Sequence, residues 1–127
     1  MYTDRTIINA ITERIIGCAF TVANVLKTGF AEKVHENALT REMTKNGLLV
    51  AQQVAITVRY DDVIVGAYMA DLLVENVVLV ELKAAKNLDP AHSAQCLNYL
   101  AATGLPICLL LNFGNPRLEI RRLVSGP

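Results

Sequence analysis

An apolar run near the C-terminus most limits the folds open to this chain. Apolar side chains fill most of 105–113. A strand of this composition is buried on both faces, so its sheet needs packed elements on each side. Two stretches with helical periodicity, about Asp4–Lys27 and about Phe30–Asn46, come earlier in the chain. We therefore predict a sheet with helices packed on it.

The hydrophobic period changes from helical to alternating after Asn46-Gly47. Alternation and turn residues predict strands over 54–60, 63–74 (with a bend), 77–83, 105–113 and 118–124. A third helix begins at Asp89-Pro90, a good N-cap followed by a proline suited to the first helical position, and ends near Ala102. The predicted order is α-α-β-β-β-α-β-β, an α/β fold with a mixed sheet. Its charged last strand is expected at an edge.

Composition limits the function. With 127 residues the chain is expected to form one domain, 1–127, and its 12 basic and 12 acidic residues give no net charge. Nucleic-acid binding would then depend on a local patch or a metal. Cys18, Cys96 and Cys108 are isolated and are expected to be small buried side chains. Charges interrupt every candidate membrane span, and Met1–Arg5 does not resemble a signal peptide, so a cytoplasmic location is expected.

The segment 71–83 carries the strongest chemical signal. Asp71 lies on one predicted strand, and Glu81 and Lys83 lie on the next, where side chains two residues apart share a face. A two-residue loop at Glu75-Asn76 would turn Asp71 to the opposite face. The site therefore requires an odd-length loop or a β-bulge.

These residue types suit a magnesium site. Mg²⁺ binds through one or two carboxylates and keeps several waters. Asp71 and Glu81 would hold the ion, with the backbone carbonyl of Leu82 as a further ligand. The ion would polarise a phosphate and acidify a water, and Lys83 would orient that water or stabilise the phosphate charge. The alternative is a structural salt bridge between Glu81 and Lys83.

The third helix can add to this site. His92, Gln95 and Tyr99 share one helical face, while Ala94, Leu97 and Ala101 are predicted to pack on the sheet. Gln95 could bond a phosphate or a carboxylate, and Tyr99 a phosphate or a base edge. The alternative is a polar face in solvent, with His92 solvated.

The second helix offers a third acid. Glu32 falls on the same stripe as Leu39 and Met43, so its carboxylate is predicted to turn inward, where it needs a partner or an ion. Glu36 follows one turn later, and His35 could reach the same region or be exposed. The alternative is that Glu32 is a first-turn acid favoured by the helix dipole.

Together these residues resemble a known pattern. Asp71…Glu81-x-Lys83 is similar to the signature of the PD-(D/E)XK, or restriction-endonuclease-like, nucleases, and Gln95-x-x-x-Tyr99 is similar to the Q-x-x-x-Y motif of their exonuclease branches. The segment 29–39 resembles the GxxExxY family of small bacterial proteins, as do 70–74, 80–84, 94–100 and 110–114. His35 departs from that family's tyrosine. Ala70 replaces the superfamily's proline.

The resemblance implies a restriction-endonuclease-like αβββαβ core with an extra N-terminal helix. It also implies a catalytic set of Glu32, Asp71, Glu81, Lys83, Gln95 and Tyr99. From these residues we predict a Mg²⁺-dependent nuclease, with Mn²⁺ as a substitute and DNA favoured over RNA. Binding to nucleic acid would be weak and non-specific, and a homodimer is possible. The alternatives are a non-catalytic nucleic-acid- or protein-binding module that keeps the fold, and a partner protein that binds metal without turnover.

Overall fold

A computed structural model describes residues 4–126, so the chain's first three residues and its last lie outside the described part. It contains three helices, α1 (Arg5–Leu26), α2 (Glu32–Lys45) and α3 (Pro90–Thr103). Its five strands are β1 (Val50–Tyr60), β2 (Val63–Val74), β3 (Val78–Lys83), β4 (Ile107–Asn112) and β5 (Glu119–Val124). The predicted element order is confirmed.

The strands form one mixed sheet in the order β1-β2-β3-β4-β5. Only β3 and β4 pair in parallel, and α3 is the crossover between them. Helices α1 and α2 cover one face of the sheet and α3 covers the other, so every residue of β4 is buried. The predicted α/β fold with a mixed sheet and packed helices is confirmed, and β5 is an edge strand.

Local signals set the ends of α1 and α3. The side chain of Asp4 accepts a hydrogen bond from the amide of Ile7, at 3.1 Å. Asp89 caps α3 ahead of Pro90, and the ring of His92 accepts from the Asp89 amide at 3.2 Å, which completes a capping box. His92 therefore has a structural task at the start of the helix. Gly104 ends α3 in the left-handed conformation.

The β2–β3 hairpin has the odd-length loop that the site requires. Val74 pairs with Val78, which leaves three loop residues, and Glu75 and Asn76 in that loop have positive φ angles of 53° and 58°. The register continues through Leu72 and Val80. By extension Asp71 faces Glu81 across the two strands, as predicted.

The regular alternation of side chains along β2 is interrupted at Asp71. Ala70 belongs to the core beneath α3, whereas Leu72, two residues on, belongs to the core beneath α1 and α2. Regular alternation would place both on the same face. On the neighbouring strand Gln53 has φ 55°, so both strands of the β1–β2 hairpin are irregular at this level. The predicted bend in this run lies beside the candidate site.

Helix α3 packs differently from the prediction. Ala94, Leu97 and Ala101 are exposed, so the prediction that they pack on the sheet is wrong. The buried side chains are Cys96, Tyr99 and Leu100. Alanine and leucine spacing is compatible with several rotations of a helix. Here the rotation is decided by Tyr99, whose large ring gains more from burial than alanine does.

Helix α1 is long and apolar enough to cross a membrane by length and composition alone, and the charged residues Glu13 and Arg14 lie within it. Its buried stripe runs from Ile8 to Val22 and packs in the main core of the sheet, as a core helix does. The three cysteines are buried and free, as predicted.

Candidate active site

Asp71 and Glu81 are linked by hydrogen bonds at the point where the backbone pairing of β2 with β3 ends. The amide of Asp71 donates to Glu81 Oε2 at 2.7 Å, and the amide of Leu82 donates to Asp71 Oδ2 at 2.9 Å. The last backbone pair is Leu72 with Val80, so these two amides bond to carboxylates where a continuing ladder would offer carbonyls. Each side chain is therefore held by the backbone of the other strand.

Both carboxyl groups are difficult to ionise. Burial raises the pKa of Glu81 to about 8, and the charge of Asp71 adds to the shift. Burial also raises the pKa of Asp71, although the hydrogen bond from the Leu82 amide opposes this. Two buried carboxylates at one point favour either a proton or a cation between them. A cluster of this kind is unfavourable for folding alone and is common at functional sites.

Glu36, rather than Glu32, is the third acid of the cluster. Its side chain is 3% exposed, and its charge contributes to the raised pKa values of both Asp71 and Glu81. The side-chain amide nitrogen of Gln53, Nε2, donates to Glu36 Oε1 at 3.0 Å and lies 3.5 Å from Asp71 Oδ1, so it bridges the two acids. Lys33 forms an ion pair with Glu36 at 3.0 Å.

Glu32 is exposed at the first position of α2, so the prediction that its carboxylate turns inward is wrong. It has the location of a first-turn acid favoured by the helix dipole. His35 is buried, but its Nε2 contacts the carbonyl of Lys27 at 3.0 Å and its ring stacks on Phe113. One helical turn separates Glu32 from Glu36, and spacing alone did not decide between them.

Lys83 is half-buried on the same face as Glu81. Its Nζ lies 3.4 Å from Gln95 Oε1, which links the end of β3 to α3. Among residues 4–126 the ion pairs within 4.0 Å are Lys33–Glu36 and Lys45–Glu42, so Lys83 has no such pair with Glu81. The salt-bridge alternative is therefore not what the structure contains. The ammonium remains available to a phosphate or water next to the acids.

Tyr99 extends from α3 into the core, close enough to the acids for their charges to act on its hydroxyl. It is 4% exposed, and burial, followed by the charges of Glu81 and Asp71, raises its pKa to about 12. The Tyr99 hydroxyl therefore keeps its proton at neutral pH and loses it only in strongly alkaline solution. The ring centroid of Tyr68, on β2, lies 5.7 Å away.

Asn112 fixes the backbone that follows Lys83, and the sequence-based interpretation did not single it out. Its Oδ1 accepts from the amides of Ala85 and Gly114 at 2.9 and 3.0 Å, and its Nδ2 donates to the Ala85 carbonyl at 2.8 Å. Its side chain is fully buried and also donates to Glu119. One polar residue in the apolar run 105–113 was the available signal, since a buried amide requires partners.

The donor set fits a divalent cation. Asp71 Oδ2 and Glu81 Oε2 each accept a backbone hydrogen bond. In the described part of the chain, Asp71 Oδ1 has only the 3.5 Å contact from Gln53, and Glu81 Oε1 accepts no hydrogen bond. Hard carboxylate oxygens are what Mg²⁺ binds, together with waters. Within residues 4–126 no three His, Cys, Asp or Glu side chains lie where together they could hold a metal ion, so the protein's side-chain ligands would be the two carboxylates. Water or a phosphate would complete the coordination.

The fold and this site define a class, the proteins with a restriction-endonuclease-like fold. The model of the PD-(D/E)XK nuclease superfamily matches residues 9–123, and the chain belongs to that superfamily. A comparison with curated proteins finds no significant match.

Two solved structures resemble the fold. One is SSO0001, with a TM-score of 0.59 and 13% identity over 75% of this chain and 50% of that chain. The other is an alkaline exonuclease from Laribacter hongkongensis, with a TM-score of 0.57 and 15% identity over 99% of this chain and 73% of that chain. The chain thus spans half the length of SSO0001. At these identities the likeness concerns the fold.

Proposed function

We propose that this protein is a Mg²⁺-dependent nuclease that hydrolyses phosphodiester bonds, in DNA more readily than in RNA, and that Mn²⁺ can replace Mg²⁺. The observation that carries the proposal is the pairing of Asp71 with Glu81 across β2 and β3, with Lys83 two residues further on the same face. Membership of a nuclease superfamily supports it.

Asp71 and Glu81 would hold the ion, and the carbonyl of Leu82 and waters would complete the site. The nearby charge of Glu36 would favour the cation. When bound, the ion would supply Lewis acidity toward a phosphate and a more acidic water. The backbone amides of Asp71 and Leu82 keep both carboxylates in place before substrate arrives. Such preorganisation lowers the cost of reaching the transition state.

Lys83 would stabilise the negative charge that develops on the phosphate, or orient the attacking water. Gln95 holds the ammonium from the α3 side, at 3.4 Å, and limits the positions it can take. Tyr99, which keeps its proton, can donate to a phosphate oxygen. Lys83 forms no ion pair with the acids in the described part of the chain, so its ammonium remains available to substrate.

A second candidate is a non-catalytic module that binds nucleic acid or protein and keeps the fold. The chain's net charge of zero favours the protein-binding form of this candidate, because tight nucleic-acid binders are usually basic. We expect weak, non-specific contact to phosphates through Lys83, Lys86, Arg117, Arg121 and Arg122.

We further propose a single domain over 1–127, membership of the GxxExxY family, a cytoplasmic location and a homodimer.

Cleavage assays with Mg²⁺ or Mn²⁺ test the proposal. Labelled DNA and RNA, each single-stranded and duplex, are incubated with wild type, Glu81→Gln and Lys83→Ala. We expect metal-dependent cleavage by wild type and a loss of about a hundredfold or more in each variant, as for other groups that stabilise transition-state charge. Lys45→Ala, which removes a surface lysine of α2, is the control. Activity that survives both site substitutions would contradict the proposal, whereas inactive wild type that still binds DNA would favour the second candidate.

A further inference from the structure

A cleft separates the β1–β2 hairpin from the outer side of α3, next to the acid cluster. Its volume is about 650 Å³, and its lining includes the side chains of Thr57, Arg59, Tyr68, Asn98 and Tyr99. Tyr99 is shared between the cleft and the active site, because its hydroxyl also experiences the charges of Glu81 and Asp71. Tyr99 therefore connects the cleft to the acid cluster.

Tyr68 offers an aromatic face to this cleft. Its side chain is 52% exposed although it lies on the α3 side of the hairpin, opposite the buried Ile56. Tyr99 packs against part of the ring, at 5.7 Å between centroids and a tilt of 48°, and leaves the rest open. An aromatic ring held in this way is a stacking surface for a flat ligand.

The polar groups of the cleft are neutral or positive. Arg59 contacts the carbonyl of Asp62 at 3.4 Å and has no ion pair within the described residues. Asn98 supplies an amide and Thr57 a hydroxyl, and no carboxylate lines the cleft in the described structure. A guanidinium suits a phosphate, an amide suits a base edge, and the tyrosine ring suits the base itself.

The size of the cleft favours an unpaired strand. Sites for single small molecules have volumes of about 300–1,000 Å³, which suits one or two nucleotides, whereas a duplex presents stacked pairs whose rings are not free to meet Tyr68. We propose that the cleft between the β1–β2 hairpin and α3 binds an unpaired nucleic-acid strand, with a base stacked on Tyr68 and its phosphate on Arg59. The inference rests on the proposed function, since it assigns the substrate class of the same site.

Binding measured without metal tests this proposal separately from cleavage. The probe is a fluorescent 12-nucleotide oligodeoxythymidine, followed by anisotropy in EDTA, with the corresponding blunt duplex for comparison. We expect tighter binding of the single strand, about tenfold weaker binding by Tyr68→Ala, and binding within about twofold of wild type by Tyr68→Phe. Arg59→Ala should make binding less dependent on salt.

Met69→Ala is the matched control. Met69 is the next residue on β2 and is 51% exposed, but it points to the opposite face of the hairpin. Equal effects of the two alanine variants, or equal binding of single strand and duplex by wild type, would overturn the proposal. So would a change from dimer to monomer in Tyr68→Ala by sedimentation, which would assign the ring to a second copy of the chain. If wild type binds the oligonucleotide through Tyr68 but cleaves nothing, this inference stands and the proposed nuclease activity fails.

Discussion

At the scale of single residues, the decisive feature is an exchange of hydrogen bonds in which the Asp71 amide donates to the Glu81 carboxylate and the Leu82 amide donates to the Asp71 carboxylate. The alternation of strand side chains predicted that Asp71, Glu81 and Lys83 share a face once the loop has odd length, and the structure has that loop. The exchange itself could not be predicted. It depends on where the β2–β3 ladder opens, which is a property of the assembled sheet.

The choice between Glu32 and Glu36 also lay beyond the sequence. Both residues fall near the start of α2, and both can point toward the core within the scatter of a helical stripe. Because residues four apart share a helical face, their position along α2 makes the difference: Glu36 is buried against Gln53, whereas Glu32, at the first position of the helix, is in solvent. The inward face of α3 was predicted incorrectly for a different reason, since burial of Tyr99 decides the rotation of that helix.

The raised pKa of Glu81 makes stability depend on pH in the metal-free protein. An unperturbed glutamate has a pKa of 4.5, against about 8 here, so the folded protein retains a proton that the unfolded chain releases between these values. The free energy of unfolding therefore falls as pH rises through this range, by at most about 1.4 kcal/mol per pH unit. Glu81→Gln cannot ionise and should lose most of this dependence.

Thermal or urea unfolding in EDTA at pH 5.5 and pH 8.5 measures this effect. The advantage of Glu81→Gln over wild type should be greater at pH 8.5 than at pH 5.5. Glu13→Gln, at an exposed position of α1, is the control and should follow the wild-type curve. Parallel pH curves for wild type and Glu81→Gln would mean that Glu81 is ionised without penalty, in contradiction to its buried position.

At the scale of elements, the connection from β3 to α3 places Lys83 and Gln95 in the site. The amide of Phe113 donates to the Lys83 carbonyl at 2.9 Å, and Asn112 then bonds both sides of Ala85. The helix signals Asp89-Pro90 and Gly104 were legible in the sequence because capping is local. The contact between 84–86 and 112–114 could not be predicted from the sequence, because its partners Ala85 and Asn112 are 27 residues apart in the chain.

Gly114 is the position where this connection can be tested. A Cβ there would lie 2.4 Å from both the amide nitrogen and the carbonyl oxygen of Ala85, which backbone atoms cannot accommodate without movement. We expect Gly114→Ala to lower the free energy of unfolding by about 1–3 kcal/mol. It should also lower the cleavage rate, because Lys83 would move.

Gly17→Ala gives the opposite result and serves as the control. Gly17 lies within α1, and a Cβ there meets nothing within 4 Å. Alanine in a helix interior stabilises by about 0.5–1 kcal/mol relative to glycine. Urea unfolding of both variants measures the two effects. Equal stability of Gly114→Ala and wild type would show that the 84–86 segment is free to shift.

At the scale of the whole molecule, the fold was largely predictable. The order of elements follows from periodicity, and the buried strand β4 requires helices on both faces of the sheet. The β1–β2 hairpin was predicted too short. Val50–Gln53 extend β1 beyond the predicted start, and these residues bring Gln53 to the acids. The sequence of 50–53 has no alternation of apolar and polar residues that would predict a strand. Residues 50–52 are extended because they pair with β2.

The central claim is that the acids at the β2–β3 opening hold a divalent cation. Calorimetric titration with Mn²⁺ at pH 8, where Glu81 is half ionised or more, tests it on wild type, Asp71→Asn, Glu36→Gln and Glu32→Gln. We expect that wild type binds an ion, that Asp71→Asn binds it at least tenfold more weakly, that Glu36→Gln is also weakened, and that Glu32→Gln matches wild type. Equal binding by Asp71→Asn and wild type would contradict the claim.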